Sequence, residues 1–165
     1  MRSTRVPQDR IGTLIGKKGE IKTALEDISG IKIDIDTEEG EVVMHDDVEL
    51  EDPLKALQLM DVIKAVGRGF NPEKAMRLFE DDEYLEVVDL SEFVGDRKNQ
   101  LQRIRGRLIG KDGKTRRIIE DLTGVDMVIY GNTVGLIGNS VTLPVAKHAV
   151  ELILQGSEHA TVYHY

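Results

Sequence analysis

The 165-residue chain has no cysteine and no tryptophan, and aromatic residues make up only 4% of it. Without cysteine there is no disulfide frame, no thiolate zinc site and no cysteine nucleophile, which fits a reducing interior. So few rings leave little scope for a ligand stacked on an aromatic platform. No apolar run approaches the ~18 residues that a membrane span needs. The opening Met1-Arg2-Ser3-Thr4-Arg5-Val6-Pro7 lacks the apolar stretch of a secretory leader. These absences lead us to expect a cytoplasmic protein with no membrane partner. The four histidines (His45, His148, His159 and His164) show no zinc-ligand spacing. Asp34 and Asp36 fall on one side of an alternating segment, so with Glu38 and Glu39 they read as a solvated face, and no metal site is expected.

What the chain does contain is a repeat. Gly12-Thr13-Leu14-Ile15-Gly16-Lys17-Lys18-Gly19 returns 94 residues later as Gly106-Arg107-Leu108-Ile109-Gly110-Lys111-Asp112-Gly113. The echo runs on, with Glu26-Asp27-Ile28-Ser29-Gly30 against Glu120-Asp121-Leu122-Thr123-Gly124, and from Gly12 to Gly30 nine of nineteen positions are identical. A copied unit fixes the domain count and shows which residues travel together. Two units of about 75 to 80 residues lie near the lower limit for burying a core. The travelling residues are glycines and a lysine, the composition of a loop whose backbone meets an anion.

Net charge is −8, but it is unevenly spread. From Gly95 to Arg117 nine bases face two acids, a local +7 around the second glycine loop, whereas Met1 to Thr23 carries six bases and two acids, a local +4. Residues 34–52 hold ten acids and no lysine or arginine, and residues 80–92 hold seven acids and no base. Fields act over a Debye length of about 8–10 Å, so a basic patch attracts phosphate even on an acidic protein.

Hydrophobic spacing gives the same element order in both copies. Arg2 to Val6 reads as a strand, Gln8 to Ile15 as a helix broken at Gly16 to Gly19, and Glu20 to Ile28 as a second helix. That second helix shows Ile21, Ala24, Leu25 and Ile28 on one face. Ile31 to Asp36 and Glu41 to His45 alternate about the turn Glu38-Glu39-Gly40, and Asp52-Pro53 opens a helix through Leu57, Met60 and Val66. In copy two, Tyr84 to Val88 is a strand, and helices end near Ile109 and cover Lys114 to Leu122. Strands at Val125 to Tyr130 and Thr133 to Ile137 and a helix from Thr142 to Gln155 complete it. Copy one thus spans 1–68 and copy two 84–156, with a helical connector at 69–83 and a tail at 157–165. The class is α+β.

Leu-Ile-Gly-x-x-Gly between two helices, followed by two strands and a helix, resembles the type I KH domain, an RNA- and single-stranded-DNA-binding module. The run from Arg105 to Gly124 and the linker Phe70-Asn71-Pro72-Glu73-Lys74-Ala75 are similar to those of the archaeal two-KH proteins. That family is related to the eukaryotic pre-ribosomal factor known as the partner of the Nob endonuclease. The resemblance implies tandem KH domains of order β-α-α-β-β-α, each with a three-stranded antiparallel sheet. It also implies binding of small-subunit ribosomal RNA near its 3′ end during subunit maturation. Many KH domains place an apolar residue three after the second glycine, where this chain has Lys22 and Arg116.

On this reading the loop clamps the nucleic-acid backbone. The expected RNA-binding residues are Gly16, Lys17, Lys18, Gly19 and Lys22, with Arg107, Gly110, Lys111, Asp112, Gly113, Lys114, Arg116 and Arg117 in copy two. Leu14, Ile15 and Ile33, and Leu108, Ile109 and Met127, are candidates for the groove floor, Ile33 and Met127 reading better as plain core. The partner is single-stranded RNA. The rival reading is a protein-interaction scaffold in which one or both loops do not meet RNA, and the acidic segments dock a pre-ribosomal nuclease, a ribosomal protein or a translation initiation factor. Gly12 and Gly16 enclose three residues where a Walker loop needs four, and Gly67-Arg68-Gly69 lacks the third glycine of a dinucleotide fingerprint. No catalytic constellation remains, so neither enzymatic activity nor a cofactor is expected.

Overall fold

A computed structural model of the chain describes residues 1–47, 52–94 and 97–156. The tail expected at 157–165, and Gly95 and Asp96 at the start of the basic block, lie outside the described residues. The backbone divides into two units, Met1–Asp81 and Asp82–Tyr165.

In the first unit, strand β1 (Arg2–Arg5) leads to helix α1 (Gln8–Ile15), a 3-10 turn at Lys17–Gly19 and helix α2 (Glu20–Ser29). Strands β2 (Lys32–Ile35) and β3 (Glu41–His45) and helix α3 (Leu54–Gly67) follow. The sheet is antiparallel in the order β1-β3-β2. Ile33 lies opposite Met44 in the ladder. Both side chains and that of Val42 are buried, while Ser3, Arg5 and Asp34 stand in solvent, the alternation a half-buried sheet requires.

The helices bury Ile11 and Leu14 of α1, Leu25 of α2, and Leu59, Val62, Ile63 and Val66 of α3. One expectation needs correcting. Ile28 is exposed and Ser29 takes the buried place, because its hydroxyl donates to the Leu25 carbonyl at 2.7 Å and accepts from the Ile31 N–H at 3.2 Å. A satisfied hydroxyl at a helix end can be buried where hydropathy alone would not put it. The helix expected through Leu57, Met60 and Val66 is α3, with Leu59 and Val66 buried and Leu57 exposed.

Asp52 caps α3, its carboxylate accepting from the Leu54 N–H at 3.0 Å. At the other end the Arg10 guanidinium donates to the carbonyls of Val66, in the last turn of α3, and of Phe70, just beyond it, each at 2.8 Å. Beyond α3, helix α4 (Pro72–Ala75) begins at Asn71, whose side chain accepts from the Lys74 N–H. A 3-10 turn at Met76–Phe79 follows, and this stretch packs on α3 by burying Phe70, Ala75 and Leu78.

The second unit repeats the order: β4 (Tyr84–Asp89), a short α5 (Ser91–Val94), α6 (Lys98–Ile109), a 3-10 turn at Lys111–Gly113, α7 (Lys114–Thr123), β5 (Asp126–Tyr130), β6 (Thr133–Gly138) and α8 (Thr142–Leu154). Its sheet is antiparallel in the order β4-β6-β5. Leu101, Ile104, Leu108, Ile119, Met127, Val134, Leu136, Val150 and Ile153 meet in one core. Removing a side chain such as Leu108 costs about 2–5 kcal/mol in a core of this kind. Asn139 caps α8 by accepting from the Thr142 N–H at 2.8 Å. Thr123 repeats the device of Ser29, donating to the Ile119 carbonyl at 2.6 Å. Two α+β units with three-stranded antiparallel sheets are thus present. Among the described residues no helix is long and apolar enough to cross a membrane.

Candidate nucleic-acid interface

Each unit breaks its first long helix at a glycine. Gly16 has φ 77° and ψ 174°, and Gly110 has φ 76° and ψ 174°. A Cβ on Gly16 would sit 2.4 Å from Cγ1 of Ile21, and one on Gly110 would sit 2.1 Å from Oγ1 of Thr115. The first glycine of each loop therefore lets the loop lie directly on the following helix. The second glycine differs: Gly19 and Gly113 have φ of 74° and 75°, yet nothing lies within 4 Å of where a Cβ would be. That side of the backbone is open to a ligand. Between the glycines, Lys18 and Asp112 also adopt the left-handed conformation, at φ 56° and 55°. Two stretches of different sequence thus take one strained backbone path, the kind of strain that concentrates at functional sites.

Both loops end at helix N-termini without a side-chain cap: α2 starts after Gly19 and α7 after Gly113, and neither has the hydrogen bond that a Ser, Thr, Asp or Asn would supply. The N–H groups of Gly19 and Glu20, and of Gly113 and Lys114, bond to carbonyls of their own loops, so it is the helix dipole there that favours an anion. The first helical residue is Glu20 in copy one and Lys114 in copy two. A carboxylate occupies the positive end of α2, while α7 adds a cation at the same position.

Lys17, Lys18, Lys111, Asp112, Lys114 and Arg117 are exposed, and Lys22, Arg107 and Arg116 are half-buried. Arg117 reaches back to the loop, its Nη2 donating to the Asp112 carbonyl at 2.7 Å. Arg116 lies 3.7 Å from Glu120, one helical turn on. In copy one, Arg2 pairs with Asp46 at 2.7 Å and Arg10 serves α3, so two of the six bases counted there are engaged away from the loop.

The helix that follows each loop packs against the edge strand of its sheet, β2 for α2 and β5 for α7. Asp36 N–H bonds to the Glu41 carbonyl, so even-numbered residues of this strand face β3 and odd-numbered ones face outward. The outward N–H of Ile33 is taken by the Glu26 carboxylate at 2.9 Å, and that of Met127 by Glu120 at 3.0 Å. Ile35 and Ile129 are then the next residues whose backbone faces the open edge. In the sequence Glu26 and Glu120 are visible only as part of the repeat, and their identity in both copies is the signal of a shared task.

The floor expectation is partly corrected. Leu14, Leu108, Ile33 and Met127 are all buried in the cores, Ile33 and Met127 as expected. Ile15 is half-buried and Ile109 is exposed, so these reach the surface beside the loops. Leu14 of α1 points inward and Ile15, about 100° further round the helix, lies at the margin of the buried face, a difference that a Leu-Ile pair does not announce. Among the described residues no cluster of three or more His, Asp or Glu side chains is placed to hold a metal ion.

Two helices joined by a Gly-x-x-Gly loop, packed on a three-stranded antiparallel sheet, define the type I KH domain, and the chain carries two. Residues 84–165 match the eukaryotic type KH-domain family (KH-domain type I), and residues 2–51 match the KH domain family. A KH domain-containing protein of Methanocaldococcus jannaschii is 43% identical over 96% of this chain and 69% of its own length. The pre-rRNA-processing protein pno1 of Schizosaccharomyces pombe is 24% identical over 99% of this chain and 68% of its own. A chain in the crystal structure of the a/eIF2alpha–aDim2p–rRNA complex from Pyrococcus horikoshii OT3 superposes with a TM-score of 0.93 at 44% identity, over 99% of this chain and 90% of that one. The chain belongs to the KH-domain family, as one of its two-KH proteins.

Proposed function

We propose that the chain is a non-catalytic RNA-binding protein of the cytoplasm that grips single-stranded ribosomal RNA of the small subunit near its 3′ end during ribosome maturation. The observation that carries this reading is the doubled loop: Gly-Lys-Lys-Gly and Gly-Lys-Asp-Gly hold one strained path, and each ends at a helix N-terminus without a side-chain cap. Phosphates lie along Gly16 to Gly19 with Lys17, Lys18 and Lys22. In copy two they lie along Gly110 to Gly113 with Arg107, Lys111, Lys114 and Arg116. These contacts position the strand without specifying its sequence. Bases lie against Ile15 or Ile109 and meet the outward backbone groups of Ile35 or Ile129. The relatives named for pre-rRNA processing and the rRNA complex of the structural neighbour support the choice of RNA.

The neighbour's complex also contains a/eIF2alpha, which favours a second reading in which an acidic surface, at 34–52 or 80–92, meets a protein of the translation or assembly machinery. Titration of the full chain with single-stranded fragments of small-subunit rRNA, 3′-terminal ones included, over a range of salt separates the two. RNA gripped by its phosphates shows log affinity falling with log salt by about 0.7 per neutralised phosphate. Absence of binding, or binding insensitive to salt, rejects the RNA reading in favour of the scaffold.

A further inference from the structure

Arg117 makes a bond for which its counterpart in copy one, Thr23, is too short. It is the fourth residue of α7, it is exposed, and it does not extend into solvent: its Nη2 donates to the Asp112 carbonyl at 2.7 Å. Asp112 is the loop residue held at φ 55°, a conformation that L side chains rarely adopt. Its counterpart Lys18 is held at φ 56°, but Thr23 stands where Arg117 would be, and a threonine side chain is too short to span from the fourth residue of the helix back into the loop.

We propose that Arg117 is a positioning residue that splints the second loop in its binding geometry, so that copy two meets RNA with its loop held by a bond that Thr23 does not supply in copy one. This rests on the RNA reading for its purpose, but the splint is a property of the free protein. A planar guanidinium bonded to a carbonyl fixes direction as well as distance. The bond pins the peptide unit between Asp112 and Gly113, the one whose orientation the left-handed residue leaves least favoured. It also turns the guanidinium toward the loop's own backbone. Order formed before binding is order that binding need not create, and affinity rises accordingly.

The loop reports on itself, because the Gly113 N–H donates to the Gly110 carbonyl at 3.2 Å and the Gly19 N–H donates to Gly16 in the same way at 3.2 Å. Hydrogen exchange of these two amides is to be measured in the full chain without RNA, in wild type, in Arg117→Thr and in the reciprocal Thr23→Arg. The splint predicts that Arg117→Thr speeds exchange at Gly113 by roughly three- to tenfold, the scale of one such hydrogen bond, and leaves Gly19 unchanged. Thr23→Arg slows Gly19. Against a single-stranded rRNA fragment, Arg117→Thr weakens affinity by a similar factor with no change in the slope of log affinity on log salt. Unchanged exchange at Gly113 overturns the splint. A salt slope shallower by about 0.7 also overturns it, because Arg117 would then be a phosphate ligand. If wild type itself binds no RNA, the functional reading fails, and the exchange arm still decides whether the splint exists.

Discussion

Lys111→Asp is the sharpest single perturbation of the second loop. Lys111 is exposed at the start of the 3-10 turn, and the substitution keeps both glycines, whose φ of 76° and 75° the loop path requires. A cation beside the α7 N-terminus is replaced by an anion next to Asp112. Loss of one charged phosphate contact together with new repulsion costs about 1–3 kcal/mol of binding. That is about a five- to 150-fold loss in affinity. The salt slope becomes shallower by about 0.7. Stability moves little, because a carboxylate near a helix N-terminus is favourable by about 0.3–1 kcal/mol, which offsets repulsion between neighbouring acids. The change in melting temperature should be no more than about 3 °C. Fluorescence anisotropy with a labelled single-stranded rRNA fragment, run beside thermal melting of the same sample, gives both quantities. A folded variant with wild-type affinity and wild-type salt slope refutes the reasoning and reduces the second loop to a turn.

Other consequences are equally direct. Lys17→Asp should weaken RNA binding less than Lys111→Asp, because Glu20 already opposes phosphate at α2 whereas Lys114 assists it at α7; equal or reversed losses in the same titration contradict the ranking of the copies. Gly16→Ala should destabilise far more than Gly19→Ala. Gly19 is in the left-handed region, where a Cβ costs about 1–2 kcal/mol, whereas Gly16, at φ 77° and ψ 174°, holds a path open essentially to glycine alone, and an alanine there would also drive a Cβ into Ile21; equal midpoints in urea unfolding would reject this argument. Burial pushes the Asp61 carboxyl above its ordinary 3.8, and nearby Lys64 pulls it part of the way back. A raised folded-state value favours the protonated form, so this contribution is full below the unfolded value and is lost as pH rises through the folded one. Asp61→Asn should therefore stabilise the chain at pH 7, by under about 1 kcal/mol, and have little effect below the ordinary 3.8; melting curves at both pH values check the sign.

The fold was legible because the sequence repeats itself. Gly16 and Gly110 break helices in matched surroundings, Gly30 and Gly124 stop the next ones, and alternation at 31–36 and 125–130 marks strands that have one wet face. Composition and spacing carried the elements, and repetition carried the loop. The failures share a physical cause, which is that burial is settled by tertiary direction and polar satisfaction rather than by hydropathy. Ser29 displaced Ile28 from the interior because its hydroxyl has two backbone partners, and Leu14 and Leu108 turn into the cores while Ile15 and Ile109 next to them reach the surface. Charge counting had the same blind spot. Arg10 looks like any other base in the sequence, yet it spends its guanidinium on the carbonyls at the end of α3, and only geometry shows that it leaves the loop to the lysines.

The central claim is that the Gly-x-x-Gly loops and the helix ends behind them are where RNA is held. Amide chemical-shift mapping of the labelled full chain, titrated with a single-stranded fragment from the 3′ end of small-subunit rRNA, tests it residue by residue. The account predicts that the first and largest shifts fall on Gly110 to Thr115, with Ile129 on the strand edge beside them, and that Gly16 to Ile21 follow at higher RNA concentration. Shifts that leave Gly113 and Lys114 unmoved while others appear along the acidic stretch 80–92 would contradict it.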